Sequence, residues 1–344
     1  MMSRLHLLCL LLSLFALNQP SHATILTVSN NPLIPAQYTT FDAAYLASRA
    51  GDTLLFSVSQ DIYSGSQVIT KRLVLMGPGL DPNPPVIGQF SQRLKATVGI
   101  TLDSNSFGSA SGTQIIGLYL WDETYFRGFL RNITITDSDV GRALDMRFGS
   151  CRNFLIKNCR VNSIRLAGGT YSSNVLITNN IVIGGINGAR SRDLISNNLF
   201  IPGGGISDAN NCNIINNIFI GGSMSGATNC TFNNNIYFGT STNPLPYGTN
   251  VGANNLNQDP QFVGALSTTT NFDVNSDYRL QNSSPGRNAG TDGTNIGPTG
   301  GLYPWYHQLS NDGQLPYVEM VNILNPSVAP GGTLQVRVKA QKGR

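Results

Sequence analysis

The sequence predicts an all-β protein whose short strands stack into a parallel β-helix. Three observations favour this fold: an aliphatic–x–Asn phrase recurs along the chain, two sets of apolar positions keep one register, and glycine pairs recur in the later copies. A fixed period of about 20 to 50 residues is typical of repeat proteins, in which each unit buries its apolar side against its neighbour.

Each copy of the repeat begins with an apolar residue that is followed two positions later by Asn or Asp. Successive copies are spaced by 21, 21, 18, 19 and 18 residues. The leading residues are Ile135, Ile156, Ile177, Ile195, Ile214 and Phe232. A second apolar position comes five residues later, at Val140, Val161, Val182, Phe200, Phe219 and Tyr237. Because only burial requires every member to be apolar, both sets are expected to form inward-facing columns.

The turn between the two columns holds the polar residue of each copy. These residues are Asp137, Asn158, Asn179, Asn197, Asn216 and Asn234. Asn tolerates left-handed turn geometry and offers both a donor and an acceptor, so this set is expected to stack and to bond to itself and to the turn backbone.

A third strand is expected in each coil, at residues 164–166, 186–188, 206–208 and 224–226. Glycine pairs separate it from the second strand in the later copies, which suits a tight corner. Leucine-rich, hexapeptide and calcium-binding nonapeptide repeats each require a phrase or a period that this chain lacks.

The N-terminal elements follow in order. Residues 1–23 have the basic start, the apolar run and the small-x-small ending of a secretory signal, and the run is too short to cross a bilayer. No later stretch is long enough for a transmembrane segment. A helix is expected over residues 39–49, with strands at 52–57 and 68–76, and the helix should cover the open end of the stack.

The β-helix domain is expected to span residues 24–300, and residues 301–344 to form a tail whose strands, at 318–323 and 334–338, pack on the β-helix. Outer positions beside the second column become apolar in the later copies: Ile181, Ile183, Leu199, Ile201, Ile218, Ile220, Ile236 and Phe238. So large an apolar face is not left bare on a soluble monomer, so the tail strands are expected to cover it, and a monomer is expected.

Composition excludes some function classes. The net charge of +4 and the 12% charged content are too low for a surface that tracks nucleic-acid phosphates. Cys212 and Cys230 occupy the same position in adjacent coils, so they are expected to lie one above the other, either as a buried thiol stack or as a disulfide. No spacing suits a zinc site.

Several segments resemble those of secreted right-handed β-helix proteins. They are Gln37-Tyr38-Thr39, Ala50-Gly51-Asp52-Thr53, Asp277-Tyr278-Arg279-Leu280, Ser284-Pro285 and Asn288-Ala289-Gly290-Thr291-Asp292. The pattern is similar to exported β-helix proteins of the Bacteroidetes type, within the pectate-lyase-like superfamily, and covers most of positions 24 to 300. It implies a right-handed coil. The better-known members act on acidic polysaccharides, but their Asn-Thr-Asp, Gly-His-Gly and Arg-Ile-Lys motifs are absent from this chain, so no catalytic residue is transferred.

The charged residues concentrate in the first coils of the repeat. The candidate site residues are Asp139, Arg142, Asp145, Arg147, Lys157, Arg160 and Arg165, with Arg152 beside them. β-Elimination of a uronate needs a neutralised carboxylate and a base, which calcium held by Asp137 and Asp139 together with Arg or Lys could supply; no other cofactor is expected. The competing interpretation is that Asp139 and Arg160 simply form a surface ion pair.

A set of aromatic residues, Trp121, Tyr125 and Phe126, precedes the first regular copy. It is predicted to lie in an excursion from the stack, either as a platform for sugar rings or as ordinary loop packing.

Two functions therefore remain open. One is an exported protein that binds, and in a lyase-like reaction cleaves, an acidic polysaccharide. The other is a non-catalytic surface, adhesion or structural module that binds a cell-surface glycan or a protein through its lateral face. Both place the protein outside the cytoplasm, as a secreted, periplasmic or cell-surface protein.

Overall fold

The structure, a computed structural model, describes residues 23–80, 95–166, 173–239, 245–264, 272–273, 276–305, 317–323 and 336–341. The signal sequence predicted at residues 1–23 lies outside them except for Ala23. The described chain forms an all-β parallel solenoid with one short helix, as the repeat predicts. The handedness of the coil stays a prediction.

Short strands recur at regular intervals along the solenoid. The first are Ile25–Val28, Thr53–Phe56, Tyr63–Ile69, Val74–Met76, Thr97–Asn105, Gly108–Ser109, Gln114–Ile116, Tyr119–Leu120 and Thr124–Arg131. The middle coils contain Thr134–Thr136, Asp139–Asp145, Gly149–Lys157, Arg160–Arg165, Ser173–Thr178 and Ile181–Asn187. The last coils contain Leu194–Ser196, Leu199–Phe200, Gly205–Ser207, Asn213–Ile215, Ile218–Ile220, Ser223–Ser225, Thr231–Asn233 and Ile236–Phe238.

The sides of the coil are numbered here in chain order from the repeat's leading residue. The first side carries Ile135, paired in parallel with Ile156, and the second side carries Val140, paired with Val161. The third side carries Leu144, paired with Ile164. The first two columns are buried throughout, at 5% exposure or less, so both inward columns predicted from the sequence are confirmed.

Among the described residues, neighbouring coils share a fourth side that the sequence did not predict. Residues 128–131 pair in parallel with residues 149–152, in register from Gly128 with Gly149 to Arg131 with Arg152. Residues 121–126 also belong to the stack rather than to an excursion, because Thr124–Arg131 pairs with the strands on either side of it. The four-sided coils bring side chains of the third and fourth sides onto one continuous surface.

A buried ladder of amides runs through the turn between the first and second sides. Each ladder oxygen accepts the backbone N–H one coil earlier at 2.9 to 3.1 Å, and each ladder nitrogen donates to a first-side carbonyl at 2.8 to 2.9 Å. The members are Asn180, Asn198, Asn217, Asn235 and Asn255. Ser138 and Cys159 hold the same register in the earlier coils. The ladder satisfies backbone groups that burial would otherwise leave unpaired.

The amide ladder is formed by the residue after the predicted set: Asp137, Asn158 and their equivalents occupy stacked turns, but the ladder hydrogen bonds expected of them belong to their neighbours. The predicted set does adopt left-handed turn geometry, with φ between 52° and 58°. A left-handed residue reverses the direction of the chain, which places its own side chain outside the turn and the next one inside. The outer amides are therefore free to bind another part of the chain.

That part is a return segment, residues 289–304, which runs back along the solenoid. The outer amides donate to it in order: Asn234 to the Ala289 carbonyl at 2.8 Å, Asn216 to the Thr291 hydroxyl at 3.0 Å, and Asn179 to the Pro298 and Gly300 carbonyls at 2.8 and 2.7 Å. Gly297 approaches so closely that a Cβ there would lie 2.4 Å from the Ile218 side chain.

The apolar outer face is covered, as predicted, but the described cover comes from the chain between Leu256 and Trp305. Ile181, Leu199, Ile218 and Ile236 are buried in a second apolar cluster outside the coil. Its covering members are Leu256, Phe262, Phe272, Tyr278, Leu280, Ala289, Ile296 and Trp305, with Leu80 beside them. The tail strands Tyr317–Ile323 and Val336–Gln341 pair with each other in antiparallel fashion, and their packing on the solenoid stays a prediction.

At the N-terminus, the predicted helix spans Phe41–Ala47. The Thr40 hydroxyl accepts the Ala43 N–H at 3.2 Å, which caps the first turn. Phe41 is buried and meets the Phe56 ring edge-on at 5.0 Å, which fixes the helix against the first coils. The single strand predicted over residues 68–76 is instead two strands, Tyr63–Ile69 and Val74–Met76, on different sides of the coil.

Cys212 and Cys230 lie directly above one another, as their register predicts. Their sulfur atoms are 3.5 Å apart and no disulfide joins them in this structure. The choice between a thiol stack and a disulfide stays a prediction.

Candidate functional site

The charged residues of the early coils separate into two groups on different sides of the solenoid. On the second side, Asp139 lies above Arg160 in register, and its carboxylate accepts from Arg160 at 2.7 Å and also from Lys95. The Asp139 side chain is 6% exposed. The Phe272 ring lies 5.6 Å from the Arg160 guanidinium. This group is a closed ion-pair cluster of one buried carboxylate and two cations, and it contains the Asp139–Arg160 pair that the register predicts.

Calcium fits this cluster poorly, since two cations already occupy the Asp139 oxygens. Asp137 is also buried, and its carboxylate accepts the Thr136 hydroxyl at 3.1 Å. Among the described residues, no three His, Cys, Asp or Glu side chains converge to hold a metal ion. Lys157 faces another way, with its ammonium 4.8 Å from the Tyr303 ring.

The second group lies on the third side and is built as a column. Tyr125, Asp145 and Arg165 are stacked in adjacent coils. Arg147 donates hydrogen bonds from its Nε and Nη2 to the two oxygens of Asp145, at 3.0 and 2.7 Å. Arg165 donates to the same carboxylate at 3.4 Å. The Asp145 side chain is fully buried, so it fixes the two arginines rather than contacting a ligand.

Glu123 extends this network towards the solvent. It accepts from Arg165 at 2.7 Å and from the Tyr125 hydroxyl at 2.5 Å. The Tyr125 hydrogen bond, followed by Arg165, lowers the pKa of Glu123, and the same bond raises the pKa of Tyr125. Asp145 raises the pKa of Arg147. Each of these pKa values moves away from neutrality.

Next to this network lies an aromatic platform, which we define as Tyr125, Arg127, Arg147 and Phe148. The Tyr125 and Phe148 rings meet edge to face at 5.8 Å, with the Arg127 guanidinium 5.4 Å from Tyr125 and the Arg147 guanidinium 5.7 Å from Phe148. Phe148 is 60% exposed. An open ring flanked by two guanidinium groups presents an apolar surface and positive charge together.

Of the predicted aromatic set, only Tyr125 belongs to this platform. Phe126 is fully buried and packs on Phe154 in the core, because it is the inward neighbour of Tyr125 on the same strand. Trp121 is 38% exposed at the corner between the second and third sides. Arg142 lies at this corner and pairs with Asp122 at 3.1 Å, apart from the Asp145 network.

Sequence reasoning missed a third group, at the end of the fourth side. Arg131, Arg152 and Arg192 line a cleft of about 350 Å³ together with Asn153, Ser173 and Asn174. Two signals in the sequence could have identified it. Arg131 and Arg152 are 21 residues apart, the period of the repeat, and Arg192 stands three residues before Ile195, where other copies have Asn.

The fold and the aromatic platform together define the class of protein: it is a parallel β-solenoid with an arginine-rich aromatic platform on its side. No protein-family model matches the chain, and no curated protein matches its sequence. Among solved structures, it is similar to the crystal structure of pectate lyase Pel9A, at 14% identity over 83% of this chain and 97% of that one, with a TM-score of 0.35. With so distant a similarity, the fold rests on the strand pairing described above. No helix among the described residues has the length and apolar character of a membrane span.

Proposed function

We propose that this protein binds an acidic polysaccharide, with a sugar ring on the aromatic platform and its acidic group held by the arginines beside it. The observation that carries the proposal is the exposed Phe148 ring, which Tyr125 supports from the side and Arg147 flanks. The apolar face of a sugar ring packs on an aromatic ring, while guanidinium forks match carboxylate and sulfate oxygens.

The network behind the platform favours binding by holding the arginines in place. Arg147 and Arg165 are tied to the buried Asp145, so little side-chain freedom remains to be lost when a ligand binds. Arg127 forms no ion pair among the described residues, although Asp103 is its partner in the adjacent strand, so its guanidinium is available to a ligand. An acidic ligand therefore suits this surface better than a neutral one.

Binding without cleavage is the form of the proposal that the electrostatics favour. A lyase-like reaction needs a base whose pKa lies near the working pH. At the platform, the pKa of Tyr125 is raised, that of Arg147 is raised and that of Glu123 is lowered. The protein would act after export, as the predicted signal indicates, in the manner of the secreted β-helix proteins it resembles.

The alternative is a non-catalytic surface, adhesion or structural module that binds a glycan or a protein through its lateral face. The return segment and its neighbours cover the apolar part of that face, which makes an apolar protein contact there less favourable. Among the described residues, the platform is an open lateral surface whose chemistry suits a glycan.

A binding panel tests the proposal. The purified protein is titrated with acidic polysaccharides and their neutral counterparts, and affinity is measured by calorimetry. At least one acidic polymer should bind, and Phe148→Ala should weaken that binding about tenfold, since a well-packed ring contributes roughly 1 to 2 kcal/mol. Absorbance of unsaturated products, with and without calcium, is recorded in the same samples.

Leu46→Ala is the matched control, because Leu46 is an exposed apolar residue on the N-terminal helix, 80% exposed. It should leave affinity unchanged. Equal losses in the two variants, or no acidic polymer bound across the panel, would contradict the proposal. Formation of unsaturated product would restore the lyase-like form and overturn binding without cleavage.

A further inference from the structure

The cleft at the end of the fourth side concentrates positive charge without a matching acid. Arg131, Arg152 and Arg192 line it, and none of the three forms an ion pair among the described residues. Asp193, the neighbour of Arg192, is 1% exposed, and its oxygens accept the backbone N–H groups of Val175 and Arg190. The described cleft lining therefore consists of three cations and three neutral polar residues.

Arg131 and Arg152 are also stacked directly on one another. Their Cα atoms are partners in adjacent parallel strands, a separation of about 4.8 Å. Like charges in this arrangement repel one another and weaken the strand pair. An anion between the two guanidinium groups would reduce this repulsion.

Arg192 departs from a second column of left-handed residues, at the corner between the fourth and first sides. In this column Asn132, Asn153 and Asn174 have φ of 56°, 56° and 62°, and each later amide donates to the one before it, at 3.1 and 2.8 Å. Asn211 and Asn229 continue the geometry, with φ of 55° and 54°.

In this column Arg192 has φ of 74°, the largest value of the set. A left-handed backbone is unfavourable for Arg, whereas Asn adopts it readily. Strain of this kind, at a position beside an unpaired cationic cleft where the other coils have Asn, points to a role in binding rather than in folding.

We propose that this cleft binds an oxyanion, the sulfate or carboxylate substituent of a polysaccharide that reaches it from the aromatic platform; the inference rests on the proposed function. Guanidinium forks of Arg152 and Arg192 receive the oxygens, and the Asn153 amide and Ser173 hydroxyl complete the polar lining.

The platform and the cleft lie at the two ends of the fourth side. Phe148 immediately precedes Gly149–Lys157, and Arg152 comes four residues later, which corresponds to about 13 Å along an extended strand. One chain of a few sugar residues can therefore contact both, with an aromatic contact at one end and a charged substituent at the other.

The test uses three polymers that share one backbone: dextran, carboxymethyl dextran and dextran sulfate. Each is titrated at low salt against the wild type and Arg192→Asn, which places in the column the residue that the other coils have there. Arg192→Asn should reduce affinity for a charged dextran about tenfold or more, because it removes charge-assisted hydrogen bonds. It should not lower the melting temperature.

Arg337→Asn is the control for net charge, because Arg337 is exposed on the tail strand Val336–Gln341. It should change the affinity little. If Arg192→Asn loses affinity for dextran sulfate alone, the bound group is a sulfate. If it loses affinity for carboxymethyl dextran alone, the bound group is a carboxylate. Equal losses in Arg192→Asn and Arg337→Asn, or no binding of either charged polymer by the wild type, would overturn the cleft proposal.

The two proposals fail separately. If Phe148→Ala weakens binding of the panel polysaccharide and Arg192→Asn does not, the cleft is wrong and the platform stands. If Arg192→Asn weakens charged-dextran binding and Phe148→Ala leaves the panel polysaccharide unaffected, the platform is wrong and the oxyanion site stands.

Discussion

Asn217 illustrates how one residue satisfies several backbone groups at once. Its amide nitrogen donates to the carbonyl oxygens of Ile195 and Ile215 at 2.8 and 3.0 Å, and its oxygen accepts the backbone N–H of Asn198 at 2.9 Å. The residue is fully buried. Because water cannot replace these partners, each group released by its removal would keep its full desolvation cost.

Replacement of Asn217 by Ala should therefore lower the free energy of unfolding by about 3 to 4 kcal/mol, measured by urea denaturation. Asn216→Gly is the control one position earlier: glycine keeps the left-handed turn, and only the hydrogen bonds with Thr291 are lost. That loss should be about 1 kcal/mol. Similar losses in both variants would contradict the distinction between inner and outer amides.

The sequence could predict that an Asn pair lies in this turn, but not which member lies inside. Both Asn216 and Asn217 have the composition that a turn favours, and the repeat keeps both in register. The difference comes from the backbone: the left-handed residue precedes the ladder residue, and only the structure shows which one has positive φ.

At the level of elements, the return segment explains why the closing motif of the chain is rich in glycine. Gly297 has φ of 86° and passes the buried Ile218, and its N–H donates to the Asn216 carbonyl at 2.7 Å. The columns of the solenoid follow from the period of the repeat. The return segment has no period, so neither its path nor its contact with the outer amides could be predicted in the same way.

Gly297→Ala should loosen the return segment, because its Cβ would lie 2.4 Å from Ile218 Cδ1. The free energy of unfolding should fall by about 1 to 3 kcal/mol. Binding of an apolar dye should increase, because the apolar face beneath the segment becomes exposed. Gly293→Ala separates strain from contact, because Gly293 has φ of 76° and no atom within 4 Å of the added Cβ. Gly293→Ala should lose less stability than Gly297→Ala and should not bind more dye. Equal dye binding by the two variants would contradict a role of the Gly297–Ile218 contact.

The charged cluster shows which part of the candidate site the sequence could predict. The 21-residue spacing of Asp139 and Arg160 gives their contact directly, because both belong to regular sides of the coil. The platform depends on Arg127 and Phe148, which lie next to the fourth side and are also 21 residues apart. The side chains at these equivalent positions differ in type, so no repeated residue marks this corner in the sequence.

For the molecule as a whole, the buried and bonded carboxylates determine how stability depends on pH. Burial raises the pKa of Asp145, but the hydrogen bonds and charge of Arg147 outweigh it, and the pKa lies below its ordinary value of 3.8. The pKa of Asp52 is lowered in the same way, by backbone N–H groups of Arg49 and Thr24 that outweigh burial. At Asp193 burial prevails, and the pKa is raised.

These opposite pKa shifts predict opposite dependences of stability on pH. A carboxylate whose pKa is lowered on folding contributes stability that is present above its unfolded pKa and is lost as pH falls through the folded value. For Asp145 and Asp52 this loss comes below about pH 4. Asp193 acts in the other sense, because its folded form favours the proton, and it costs stability as pH rises above its unfolded pKa.

Urea unfolding between about pH 2 and pH 7 checks both signs. The wild type should lose stability steeply below about pH 4, and Asp145→Asn should lose less over that range while being less stable at neutral pH, because Arg147 and Arg165 no longer face a charge. The stability of Asp193→Asn relative to the wild type should increase as pH rises, because its amide oxygen can still accept the Val175 N–H. An Asp145→Asn variant with the full acid loss would show that the Arg147 pair does not control acid unfolding, and the buried column on the third side would then contribute to the shape of the platform but not to its stability.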